Sequence, residues 1–381
     1  DRTYPVQSVF YCSFDNRHSA FKKPSKPSNT SIMITNNIYI KLLGTISLSI
    51  GLVIILFLSS ERQVHRNNAF TRRIPPHAIA KKFDLDLGYN SYYIAGYDNN
   101  NMYLGNGTAP FHVLQIDLKS LDTTHIRLRV NNRGLQFRNV QISVLQPYFF
   151  LFDGTVPIAL RGHLGDWSIQ DSIMSPVFFD KAIPVGKTDL VCRTFDADSQ
   201  TITLGSFHFD TDALASLEPE ILEKQIDGVF DVDGAMTSTP DHSLLLYSYY
   251  YRNEFIVLDS HLNILKRQNT LDTVTKAQIE VTSLKEGLIS EMLSPPVIIN
   301  NSSSLEGSRV YIISNRLGKY ENMDILKQAS ILDVYDWKKG TYEFSTYIHK
   351  TEREKIREIK VDGNVLYVLV GNQLSVYELA Y

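Results

Sequence analysis

Two short acidic runs come nearest in this chain to a metal-binding motif. Asp196-Ala197-Asp198-Ser199-Gln200 opens as a calcium loop does, with carboxylates at alternate positions. Thr201 then stands where such a loop needs glycine, and Phe207 where it needs a bidentate glutamate, so the match ends there. Asp231-Val232-Asp233-Gly234 could offer calcium two carboxylates, or form a solvated turn. Arg161-Gly162-His163-Leu164-Gly165-Asp166-Trp167 is the densest cluster of reactive side chains, and its glycines read as a turn beside a core Trp. Tyr247, Tyr249, Tyr250 and Tyr251 could stack on a sugar, but a tyrosine-rich strand packed between sheets accounts for them more simply. There is no Gly-x-Ser-x-Gly elbow, His-Glu-x-x-His, Cys-x-x-Cys or Gly-rich phosphate loop, and the histidines lack ligand spacing. The reading is therefore no catalytic residue and no resident cofactor, with calcium the one ion that loop carboxylates could take.

The elements that would position such groups are strands. Residues 355–381 set the pattern: Ile359 and Val361, the turn Asp362-Gly363-Asn364, the apolar run 365–370, the turn Gly371-Asn372, then Leu374, Val376 and Leu379. Asp-Gly and Gly-Asn pairs supply the residues with φ > 0 that tight antiparallel hairpins need. The middle run is apolar on both faces and must lie between neighbouring sheets. Similar groups begin at residues 92, 140, 187, 235 and near 281, with a helix expected over 212–225, capped by Asp212 and broken by Pro219. Small sheets recurring every forty to fifty residues are the mark of propeller blades, each of which buries its faces only against its neighbours. The last group has three strands and the period-2 run 83–87 is spare. Pairing the two gives an all-β, six-bladed propeller over 83–381, closed by strand 83–87 on the C-terminal blade.

Turns joining second to third strands share one face of such a ring: 105–110, 153–154, 196–199, 251–253, 315–327 and 371–372. They carry Asn106, Asp153, Asp196, Asp198, Arg252, Asn253, Arg316, Lys319, Asn322 and Asn372. Singly these are ordinary turn residues. As a set they are the expected ligand-binding face, and the long 315–327 loop is the one most suited to function.

On this strand grouping, without a Gly-His/Trp-Asp repeat or an Asp-box, residues 83–381 resemble the six-bladed propellers of the broad TolB-like class. They look most like the membrane-anchored propeller proteins of bacteria. The resemblance implies a scaffold, a sensor, a lactonase-like hydrolase or a sugar dehydrogenase, since one fold hosts many functions.

The chain has 381 residues, 43% of them hydrophobic and 21% charged, with a net charge of −3. A basic nucleic-acid footprint is absent, so no nucleic-acid partner is expected. The two cysteines, Cys12 and Cys192, lie too far apart for a disulfide framework, and Cys192 reads as a buried thiol. Residues 1–37 are polar and aperiodic, expected to be disordered or untranslated, with Met33 the natural start. Residues 38–60 reach the roughly 20 apolar residues that cross a bilayer. A signal-anchor helix is expected there, a cleaved signal peptide being the alternative. Residues 61–82 read as a polar stem. Basic residues follow the span in number, Arg62, Arg66, Arg72, Arg73, Lys81 and Lys82 against Lys41 before it, which alone would hold the domain in the cytoplasm. A short tail before the span, and the insensitivity of long domains to charge, favour the extracytoplasmic side of the inner membrane. The expected function is a single-span binding or scaffold module for an envelope protein or small ligand. The alternatives are a propeller enzyme with a metal in its funnel and a sensor coupled to a membrane partner.

Overall fold

A computed structural model describes residues 29–64, 68–98, 100–130, 136–175, 177–209, 216–284, 289–350 and 354–380. The chain divides into two units, Asp1–Arg66 and Asn67–Tyr381. In the first, helix α1 (Asn29–Val64) contains the stretch Ile38–Leu58, with mean hydropathy 2.3 and none of its residues buried. That stretch is long and apolar enough to cross a membrane. Residues 1–28, including Cys12, lie outside the described residues.

The second unit is a six-bladed β-propeller. Blade 1 comprises Tyr92–Tyr97, Asn101–Asn106, His112–Asp117 and Thr123–Arg127, and blade 2 Val140–Leu145, Tyr148–Asp153, Ile158–His163 and Ser168–Met174. Blade 3 is Phe179–Pro184, Asp189–Asp196, Thr201–His208 and Ser216–Glu218, and blade 4 Gly234–Ser238, Leu244–Tyr249, Glu254–Asp259 and Ile264–Asn269. Blade 5 is Asn300–Glu306, Arg309–Ser314, Ala329–Asp336 and Thr341–His349. Blade 6 is Ile356–Asp362, Val365–Val370 and Gln373–Leu379, completed by Ile79–Asp86. Phe83 stands opposite Val376 and Leu85 opposite Leu374, so the ring closes by the expected pairing, with the outer strand starting at Ile79. A separate hairpin, Val281–Leu284 with Ile289–Met292, stands outside the blades.

The first strand of each blade is innermost, and the second is buried on both faces because a blade packs on either side of it. In blade 6, Leu366, Val368 and Val370 meet Ile313, Leu332 and Val334 of blade 5. Tyr367 and Leu369 of the same strand meet Ile94, Leu104 and Ile116 of blade 1. Each such side chain contributes about 1.5–3 kcal/mol when fully buried, so a two-sided apolar strand serves as the adhesive between blades. Tyr247 and Tyr249 are wholly buried in the same way, their rings 5.2 Å apart and edge-on. Cys192 is buried as expected, and burial pushes its thiol up to about 12.

Three local expectations are corrected. The inner strands of blades 3 and 5, Phe179–Pro184 and Asn300–Glu306, were not foreseen, because polar and charged residues dilute their apolar pattern. The helix over 212–225 does not form among the described residues. Leu217 instead sits in the strand Ser216–Glu218, opposite Gly205, while Asp212 lies outside the described residues. Nor is the stem free along its whole length, since residues 68–73 run along blade 5. There Asn68 N donates to Leu317 O (3.2 Å), Lys319 N to Phe70 O (2.8 Å) and Ser345 N to Arg73 O (2.8 Å). Within this stem the Arg72 side chain is buried against blade 5, while Thr71, Arg73 and His77 are exposed.

Candidate functional site

All ten residues expected at a binding face do lie in or beside turns between second and third strands, but most are bound up in the fold. Asn106 Oδ1 accepts from Thr108 and Ala109, and Asp196 from Asp198 N and Ser199 Oγ, as Asx turns do. Asp153 is fully buried and accepts the N–H groups of Arg138, Asn139 and Thr155. Burial opposes its charge, and these donors outweigh burial, holding the carboxyl below the usual range. Arg252 is buried over the Tyr249 ring at 3.5 Å, with Nε 3.0 Å from Glu254, and Asn253 donates to Asp272 O. Arg316 pairs with Asp272 (2.9 Å) and Asn68 (2.6 Å), and Asn372 donates to Asp86 (2.8 Å). Asp198, Lys319 and Asn322 are exposed. The acidic run at 231–233 is not solvated: Asp231 is fully buried and takes the N–H groups of Ile226 (2.9 Å) and Gly228 (2.5 Å), while Asp233 pairs with Arg193 (2.6 Å). Its two carboxylates thus serve different partners. The cluster at 161–167 is a turn between third and fourth strands, with Trp167 against Tyr103 and Phe149.

The concave site lies on the axis of the ring. A channel of about 620 Å³ is lined by all six inner strands, and none of the ten turn residues reaches it. Of the expected face, Gly107 and Pro110 border it. A propeller's inner strands leave one edge unpaired, so their backbone groups need partners from elsewhere. Side chains of adjacent blades supply them. Tyr93 Oη accepts Ile142 N (2.7 Å), Ser304 Oγ accepts Val361 N (2.9 Å), Glu358 accepts Ile94 N (2.9 Å) and Arg193 donates to Gly234 O (2.8 Å). This explains the polar character of the inner strands and why sequence periodicity overlooked two of them.

Five Arg and Lys side chains face the channel against two carboxylates, Asp180 and Glu358. Asp180 is paired with Arg193 at 2.9 Å. Lys360 reaches from blade 6 across to blade 4, donating to Thr237 Oγ1 and Ser238 O (3.5 Å). Burial pushes its ammonium down to about 8; Glu358 opposes the shift and Lys181 adds to it. His242, also on the lining and buried, is pushed down to about 4 and bonds through Nδ1 to Pro184 O. Among the described residues no group of three or more His, Cys, Asp or Glu is placed to hold a metal ion. The signal that could have pointed to this site is a lysine flanked by two apolar residues, Lys360 between Ile359 and Val361.

No protein-family model matches the chain, and no curated protein does. Solved structures with a similar course include a member of the DUF4221 family from Bacteroides vulgatus, at 12% identity and TM-score 0.49, covering 79% of this chain and 97% of that one. The β-propeller domain of Cps50 (Swd1) from Myceliophteria thermophila has 11% identity and TM-score 0.44, covering 79% of this chain and all of that one.

Proposed function

We propose that this chain is a membrane-tethered binding module whose ligand site is the axial channel of the propeller. The observation that carries the proposal is the channel itself, about 620 Å³ with side chains from every blade converging on it. That volume suits a small organic molecule, for which pockets of about 300–1,000 Å³ are usual. The apolar stretch Ile38–Leu58 serves as the anchor. The arrangement read from the sequence, a signal anchor in the inner membrane with the ring on the extracytoplasmic side, makes the ligand a solute or envelope component. The exposed residues of the 315–327 loop, Lys319, Tyr320, Asn322 and Met323, suit contact with an envelope protein. Binding is favoured over metal-dependent hydrolysis by the state of the two channel carboxylates, since Asp180 is held by Arg193 and Glu358 accepts Ile94 N.

A thermal-shift screen of the full chain in detergent, against sugars, amino acids, carboxylates and phosphates, tests this. Ala235 lies on the lining, on the same side of its strand as Thr237, so Ala235→Trp fills the channel. Stabilisation by a compound, abolished in Ala235→Trp, is expected. Stabilisation that survives the substitution would place the site elsewhere.

A further inference from the structure

We infer that the axial channel takes a small organic anion whose carboxylate or phosphate group is held between Lys360 and Lys181; this rests on the binding reading above. The chain as a whole is acidic, with a net charge of −3, yet its channel carries an excess of cations. Three of the five are accounted for at the walls and rim. Arg193 is neutralised by Asp180 and Asp233, while Arg138 and Arg357 are exposed, the latter also donating to Tyr92 O at 2.6 Å.

Lys360 and Lys181 are different. Lys360 is held by a hydroxyl and a carbonyl, which fix its position without cancelling its charge. Lys181, on the facing strand of blade 3, has no carboxylate within ion-pair distance among the described residues, and its charge is felt at Lys360. Glu358 offsets part of the charge at Lys360, but a cation withdrawn from water with less than a full counter-charge is unfavourable, and a second cation facing it adds to the cost. Such an arrangement persists where an anion relieves it. The walls offer a bound molecule more than charge: Tyr97, Phe111, Phe137 and Met236 form an apolar lining for an organic body. A charged head and an apolar flank together describe an organic acid or organophosphate rather than a bare inorganic ion.

The test is isothermal titration calorimetry of the full chain in detergent with citrate and phenyl phosphate as organic anionic probes and glucose as a neutral one. Citrate or phenyl phosphate is expected to bind, and to bind at least tenfold more weakly to Lys360→Met and to Lys181→Met. Lys339→Met, in an exposed turn outside the channel, should leave affinity unchanged. Thermal unfolding of each variant shows whether it folds; Lys181→Met decides the matter if Lys360→Met does not. Failure of both anions to bind, or equal binding to the folded lysine variants, overturns the inference. Glucose binding that is lost in Ala235→Trp, with no anion bound, would overturn it while leaving the channel as a ligand site. Anion binding that persists in Ala235→Trp would overturn both.

Discussion

Arg72, in the strap that leads into the propeller, closes a two-pronged ion pair with Asp333 in the third strand of blade 5, Nε to Oδ1 at 2.6 Å and Nη2 to Oδ2 at 2.9 Å. The same guanidinium reaches Glu321 at 2.7 Å and Arg316 O at 2.8 Å, and its side chain is 1% exposed. Burial opposes this charge, and Asp333 with Glu321 overcomes burial to keep it. A segment that composition marks as a solvated spacer is thereby made part of the fold.

Arg72→Met should therefore destabilise the propeller by about 3–5 kcal/mol, the usual cost of stranding a buried carboxylate. Arg72→Met/Asp333→Asn should recover part of that loss, because the stranded charge goes with its partner. Urea unfolding of the single and double variants measures both, and a loss below about 1 kcal/mol would show that the strap is dispensable.

Gly154 sits where the second-to-third-strand turn of blade 2 touches the start of blade 3's inner strand. A Cβ there would overlap the carbonyl oxygen of Phe179, whose N–H donates to Gly154 O at 3.2 Å. Gly154→Ala is expected to cost about 1–3 kcal/mol, as overpacking against backbone does, although alanine is otherwise the smaller entropic burden. An unchanged urea midpoint would mean that blades 2 and 3 can part without cost.

His242 makes stability depend on pH. Its ordinary value is 6.5 and burial pushes it down to about 4; Lys360 adds to the shift, and Pro184 O and Asp241 oppose it. Below pH 6.5 the unfolded chain takes up a proton that the folded chain refuses until about pH 4. Stability from this residue is thus full above pH 6.5 and falls as pH drops toward 4, by about 3 kcal/mol in all. His242→Asn keeps a side chain tolerated at its φ of 57° and removes the titration. The variant should lose correspondingly less stability than the parent between pH 6.5 and 4; parallel curves would refute the assignment.

The strands of blades 1, 2, 4 and 6 could be read from their residues because their cause is local. Alternating Val, Ile, Leu and Tyr between Asp-Gly or Gly-Asn turns dictates a hairpin whatever surrounds it. Closure could be inferred as well, since 83–87 and 373–379 were each a strand lacking a partner. The positions of the ten turn residues within their blades followed from the same grouping. Their engagement was not legible, because Asp153 takes N–H groups from the loop before its blade and Arg316 pairs with Asp272 and Asn68, remote in the chain.

What the sequence alone determined is thus the kind of protein: an apolar segment able to cross a membrane, followed by repeated small sheets that could bury their faces only by closing into a ring. The tertiary structure decided where the axial cavity lies and which side chains line it. A polar residue in a strand looks the same in sequence whether it faces bulk water, a neighbouring blade or an axial cavity. Lys181 and Lys360 line one cavity only because the ring closes, and closure is a property of the whole chain rather than of any stretch within it.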